Sequence, residues 1–280
     1  MSVAVVTDST TYVPAAMLDA LGVRRVDLYV GWDGDMQPES SWSDLDAFYG
    51  RLSASERTPT TSQPSVGDFA DAYAPLLEAG REIVSVHIAA GISGTYESAR
   101  EAARTLDAAD RITVIDGRTG AGGLGCLVVA AAEAARDGDA DGAAVAAAVE
   151  RARSTLDIWF CLDTLEFLHK GGRIGAARAL LGSALRIKPL LTFGEEIAPV
   201  GRVRTARRAL ERMGAYLVEL HDRGATDWIV QHAQAAEDAA HLVAAGREVF
   251  GTEPLFCTEV GPVLGAHLGR GMLVGGMTRS

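Results

Sequence analysis

The chain has 280 residues, of which 48% are hydrophobic and 22% charged, so it can bury a sizeable core and is long enough for two domains. A formal net charge of −11 argues against a broad cationic surface for nucleic acid. No run of about 18 uncharged apolar residues suggests a membrane span, and Met1–Val6 has neither a basic n-region nor a cleavage site, so a cytoplasmic protein is expected.

In chain order, Val3 to Val6 reads as a buried strand, and Pro14 opens a helix at Ala15. Val26 to Val30, Ile83 to Ile88 and Ile112 to Ile115 are further strand-like runs. Between them Val66, Phe69, Ala70, Tyr73, Leu76 and Leu77 recur at helical spacing, behind Ser65 and Asp68 spaced as a capping box. This alternation predicts an α/β N-terminal domain with a three-layer, mostly parallel sheet. After the polar break at Arg136–Gly142 come an alanine-rich helix to Thr155 and a strand over Ile158–Cys161. Ile187–Phe193 and Ile197–Val203, joined by Gly194-Glu195-Glu196, predict a hairpin. A helix over Thr205–Leu220, a strand over Trp228–His232, another helix and a final strand over Leu255–Val260 complete a smaller α+β domain with a mixed sheet. The boundary is placed at 156/157, giving domains 1–156 and 157–280.

Cys126, Cys161 and Cys257 fit neither a disulfide framework nor a zinc site and read as small buried side chains, so no metal site is expected. The arginines between Arg202 and Arg212 form either a solvated helix face or a docking surface.

Three polar motifs fall where α/β sheets place ligand groups. They are Thr60-Thr61-Ser62-Gln63-Pro64-Ser65, Gly91-Ile92-Ser93-Gly94-Thr95, and Gly261-Pro262 with Gly265-Ala266-His267. Each alone is equally a helix cap or a structural histidine. Together they offer hydroxyls, backbone N–H groups and an imidazole, a set suited to a carboxylate or phosphate. Gly91–Thr95 approximates the G-x-S-x-G nucleophile elbow, but Thr95 stands at the last glycine position and no acidic partner for His87 or His267 is identifiable. Gly120–Gly125 matches G-x-G-x-x-G, yet four residues separate it from the preceding strand, so a tightly packed glycine turn is the better reading. No P-loop sequence is present. Leu165–Gly175 reads as a helix end and a turn, with Arg173 after a glycine pair.

Read together, Val6–Thr10, Thr61–Ser65, Ser93–Tyr96, Leu165–Ile174, Val203–Thr205 and Gly261–His267 resemble the DegV family, which includes the fatty-acid-binding subunits of bacterial fatty acid kinase. The resemblance implies a long-chain fatty acid in a tunnel between the two domains, and no other cofactor. It implies a carboxylate held by Thr61, Ser62, Ser93, Gly94 and His267. It also implies a non-catalytic chain that presents the acid to a separate ATP-dependent kinase for acyl-phosphate formation. Arg173, with Arg202 and Arg204 as further candidates, would contact that partner or its phosphoryl group. No nucleic-acid partner is implied, and peripheral membrane contact during lipid exchange is allowed. Tyr12 stands where the family usually has an acid, Arg270 replaces a frequent proline, and His169 and Gly175 differ from the commonest residues of their loop. The alternatives are a serine hydrolase using Ser93 and a sensor or interaction protein that carries lipid as a structural ligand.

Overall fold

The computed structural model describes residues 2–182 and 187–278. The first half runs β1 (Val3–Asp8), α1 (Ala15–Leu21), β2 (Arg24–Val26), β3 (Tyr29–Trp32), β4 (Asp35–Pro38), α2 (Leu45–Ala54), β5 (Thr60–Ser62), α3 (Val66–Glu78), β6 (Glu82–His87), α4 (Thr95–Thr105), β7 (Ile112–Asp116), α5 (Gly122–Ala135) and α6 (Gly142–Thr155). The second runs β8 (Asp157–Leu162), α7 (Glu166–Lys170), β9 (Lys188–Phe193), β10 (Ile197–Val203), α8 (Ala206–Asp222), β11 (Asp227–Ala233), α9 (Ala236–Phe250), β12 (Cys257–Glu259), α10 (Pro262–Leu268) and β13 (Gly271–Met277).

Strands β2-β1-β6-β7 form a wholly parallel sheet, as the βα alternation requires. Its central strands are buried on both faces: β1 is buried at every position and β6 at all but its first. Helices α3 and α4 cover one face, and α5 and α6 the other. The larger sheet, β10-β9-β8-β13-β11-β12, is antiparallel except for β11 with β12. Its outer face carries α8 and α9, while α5 and α6 also pack on its inner face. The α5–α6 pair is therefore shared between the two sheets. Accordingly, one buried cluster links Val5 and Val86 of the first sheet through Leu124 and Leu127 to Ile229 and Leu273 of the second.

The predicted capping box is present, with Ser65 and Asp68 exchanging side-chain-to-backbone bonds at the start of α3. The β9–β10 hairpin is likewise present, with its bulge at Pro199/Gly201. The apolar run Val26–Val30 is not one strand: β2 pairs in the parallel sheet, and β3 crosses to a small antiparallel sheet, β4-β3-β5. Leu255–Val260 is not the last strand, because β13 follows it and lies at the centre of the second sheet. Cys126 and Cys161 are buried, whereas Cys257 is exposed on the edge strand β12 and is not the buried side chain expected.

Candidate functional site

The small sheet brings Thr61, in the middle of β5, to the end of α10. There Thr61 Oγ1 and His267 Nε2 lie 2.7 Å apart. These residues stand 206 positions apart in the chain. A pocket opens at this contact, lined on its polar side by Thr61, Ser62, Gln63, Ser93, Arg173 and His267. Its remaining wall is apolar, including Leu28, Ile88, Phe193, Leu264 and Leu268. The free space within it is about 40 Å³, enough for a few waters.

Each polar group has an identifiable support. Ser93 precedes α4, and its Oγ bonds Thr95 Oγ1 at 2.8 Å and accepts from Thr95 N at 3.3 Å. Gly94 is the N-cap of that helix and approaches Gln63 closely: a Cβ there would lie 2.5 Å from Gln63 Nε2. Ser62 is exposed and donates to its neighbouring carbonyl at Gln63. Gly171 plays the same part for His267, since a Cβ at 171 would sit 2.3 Å from the imidazole Nδ1. The first glycine of the Gly-Gly-Arg loop is thus the residue that lets the ring in. Arg173 is held from two sides, by Nη1 donating to Gly171 O at 2.7 Å and Nε to Ile92 O at 3.4 Å, which ties its loop to the one carrying Ser93. Burial, helped by the nearby Arg173 charge, lowers the His267 pKa to about 4, so the ring is neutral at pH 7.

The position of α10 is set at its other end. Glu39 Oε1 accepts from Val263 N at 2.8 Å and from the Tyr12 hydroxyl at 2.8 Å, while Tyr12 Oη accepts from Leu264 N at 3.1 Å. The Tyr49 hydroxyl donates to Val260 O just before the helix. None of these supports was foreseen from the sequence, because nothing local connects residues 12, 39 and 49 to residue 263.

The structure brings Thr61, Ser62, Ser93, Arg173 and His267 to one pocket, with Gly94 beside Gln63 at its rim. It does not bring Arg202 and Arg204 there; both are exposed, at and just past the end of the edge strand β10. Farther along, Arg207 and Arg208 pair with Glu211, and Arg212 pairs with Glu219 and lies 4.2 Å over the Trp159 ring. In that helical part Arg207 and Arg208 are exposed and ion-paired, whereas Arg212 is half-buried.

A serine–histidine–aspartate chain does occur, but elsewhere. Tyr73 Oη donates to Ser85 Oγ at 2.8 Å, Ser85 Oγ meets His87 Nε2 at 2.7 Å, and His87 Nδ1 meets Asp8 Oδ2 at 3.1 Å. Tyr73, Ser85, His87 and Asp8 are all 0% exposed, so no substrate reaches Ser85. Both nitrogens of His87 are occupied, and His267 is turned to Thr61, which leaves Ser93 without an imidazole partner among the described residues. The glycine run at 120–125 is not a phosphate loop either: Gly122, Gly123 and Gly125 form the first turn of α5 against Ile229, Ile158 and Phe256. Among the described residues no His/Cys/Asp/Glu group suits a metal ion, and no helix is long and apolar enough to cross a membrane.

Comparison with known proteins bears on the family and the fold. A DegV domain-containing protein from Streptomyces coelicolor is 40% identical over 274 residues, covering 97% of this chain and 96% of its own. A solved fatty-acid-binding DegV family protein from Thermus thermophilus superposes with a TM-score of 0.86 at 32% identity, over 99% of this chain and 100% of that one. DegV from Bacillus subtilis, solved as a fatty acid binding protein, gives 0.88 at 29% identity over the same shares. A family model described as "Uncharacterised protein, DegV family" matches residues 2–276, and with it the chain belongs to the DegV family.

Proposed function

We propose that this protein binds one long-chain fatty acid, with its carboxylate at Thr61, Ser93 and His267 and its acyl chain along the apolar wall between the two sheets. The observation that carries this reading is the 2.7 Å Thr61–His267 contact at the polar end of an otherwise apolar pocket. In the tautomer that carries its proton on Nε2, the neutral imidazole donates to Thr61 Oγ1 and turns the hydroxyl proton outward, toward an incoming carboxylate. The Ser93 hydroxyl and the backbone around Ser62 and Gly94 supply further donors, and Arg173 supplies the compensating charge. Each buried CH2 adds about 0.8 kcal/mol, so the chain provides most of the affinity and the polar end provides orientation. The structures from Thermus thermophilus and Bacillus subtilis, each described as fatty-acid-binding, support the ligand class.

In this reading the chain presents the acid to a separate ATP-dependent kinase, which forms the acyl phosphate. Arg173 stands at the carboxyl end, where a phosphoryl group would arrive. Arg202 and Arg204 are exposed and available to the kinase. The direct test is native mass spectrometry with organic extraction of the purified protein, for wild type and Ser93→Ala. Wild type should carry one fatty acid per chain. Ser93→Ala, losing a bond to a charged group, should retain it about tenfold more weakly with the fold, read by circular dichroism, intact. A wild-type protein that is empty and refuses added fatty acid would sink the reading.

A further inference from the structure

We propose that Glu39, together with Tyr12, is a positioning residue for the carboxylate site, fixing the placement of α10 that sets His267 against Thr61. The proposal rests on the fatty-acid reading above. Its starting point is that the Thr61–His267 contact joins two segments far apart in sequence, one from the small sheet and one from α10. A side-chain contact across such a gap holds its distance only if the two segments are tied elsewhere. The tie from the small sheet is made by Glu39, which follows β4 and accepts the Val263 N–H at 2.8 Å, beside the Tyr49–Val260 bond from α2. Val263 lies four residues before His267, about one helical turn away. A shift at Val263 is therefore carried along the helix to the imidazole.

Three details show that this tie is built rather than incidental. Glu39 is 6% exposed, a costly place for a carboxyl unless its hydrogen bonds are needed. Tyr12 adopts the left-handed backbone region, φ 49°, rare for a bulky side chain, and from there its hydroxyl both donates to Glu39 Oε1 and accepts from Leu264 N. Gly261 leaves room for both, since a Cβ there would lie 2.6 Å from Tyr12 Cε1 and 2.8 Å from Glu39 Oε1. Neither Tyr12 nor Glu39 lines the carboxylate pocket, so any effect they have on the ligand passes through α10.

The test is equilibrium binding of cis-parinaric acid, a fluorescent long-chain fatty acid, to delipidated wild type, Glu39→Ala, Glu39→Gln, His267→Ala and the Glu39→Ala/His267→Ala double variant. Glu39→Ala should weaken binding about tenfold. Glu39→Gln, whose carbonyl oxygen can still accept both bonds, should stay within about threefold of wild type. The double variant should bind nearly as well as His267→Ala alone, because the loss passes through the same ring. If Glu39→Ala does not fold, Tyr12→Phe replaces it in the same cycle, with the same expected non-additivity. Losses that multiply independently, or Glu39→Ala and Tyr12→Phe variants that bind like wild type while His267→Ala is weakened, would overturn the positioning role alone. A wild type that ignores the probe, or a His267→Ala variant that binds like wild type, would overturn the carboxylate reading and the proposal with it.

Discussion

His267 and Glu39 are shifted from their ordinary protonation in opposite senses, and both shifts act in the acidic range. Burial and Arg173 bring His267 from 6.5 down to about 4. As pH falls from about 6.5 to 4 the unfolded chain takes up a proton that the folded one refuses, so the His267 contribution to stability is lost toward acid. Burial raises Glu39 from 4.5 to about 7 against the bonds from Ser9, Val263 and Tyr12, while the charge of Asp27 pushes it the same way as burial. Arg25 and Glu259 line the same cleft, and Tyr49 packs nearby. Here the folded state holds its proton longer, so stability is lost as pH rises from about 4.5 to 7. The two slopes oppose each other. Melting temperatures of the delipidated protein between pH 4.5 and 7, taken as differences from wild type, should rise with pH for Glu39→Gln and fall for His267→Gln. Flat differences would show that neither shift exists. At this scale the proposed ligand groups Thr61, Ser93 and His267, which the fold brings to one pocket, are legible in the sequence because each sits in a motif with its own turn chemistry. Glu39 and Tyr49 are not, since their roles depend on contacts 224 and 211 residues away.

Among the elements, α5 is tightly constrained. Its glycines lie in the first turn, where the parallel sheet, the larger sheet and the turn after β1 all meet. A helical glycine replaced by alanine ordinarily gains about 1 kcal/mol. At Gly125 the added Cβ would lie 2.8 Å from both Phe256 Cζ and Val13 Cγ2 and 3.2 Å from Thr11 O. Overpacking of that kind costs about 1–3 kcal/mol, so Gly125→Ala should be net destabilising in chemical denaturation, against the propensity trend. The same glycine logic explains what sequence patterning misses. Strand β13 carries Gly271, Gly275 and Gly276, a composition depleted in strands, yet it is buried at every position in the middle of its sheet. Glycine is needed there because a Cβ at 275 would meet Ile158 Cγ2 at 2.3 Å, and one at 271 would meet Cys161 O at 2.5 Å. The alternating apolar runs of β1, β6, β7 and β8, by contrast, announce themselves. The break of Val26–Val30 into β2 and β3 does not, because the turn between two sheets lies within one apolar run.

Across the whole molecule the layers run α3–α4, parallel sheet, α5–α6, mixed sheet, α8–α9, with the small sheet and α10 at one end. This order was half legible: βα alternation predicts the parallel sheet, but nothing in a helical pattern tells that α5 and α6 serve two sheets at once. The free space in the site, about 40 Å³, is far below what a long acyl chain fills, and its wall belongs to the same continuous core as both sheets. If the site takes a long acyl chain as proposed, cargo enters and leaves when packed elements part, and exchange is timed by the protein rather than by its surroundings. Release of a bound fatty acid to acceptor vesicles should be first order in loaded protein. Its rate should level off as vesicle concentration rises and climb steeply with temperature, as unfolding-like openings do. A rate that keeps growing in proportion to vesicle concentration would mean that the membrane pulls the chain out directly. On the opening-limited scheme the protein is a clock as well as a carrier: the interval between loading and delivery is written into the packing of its own interior.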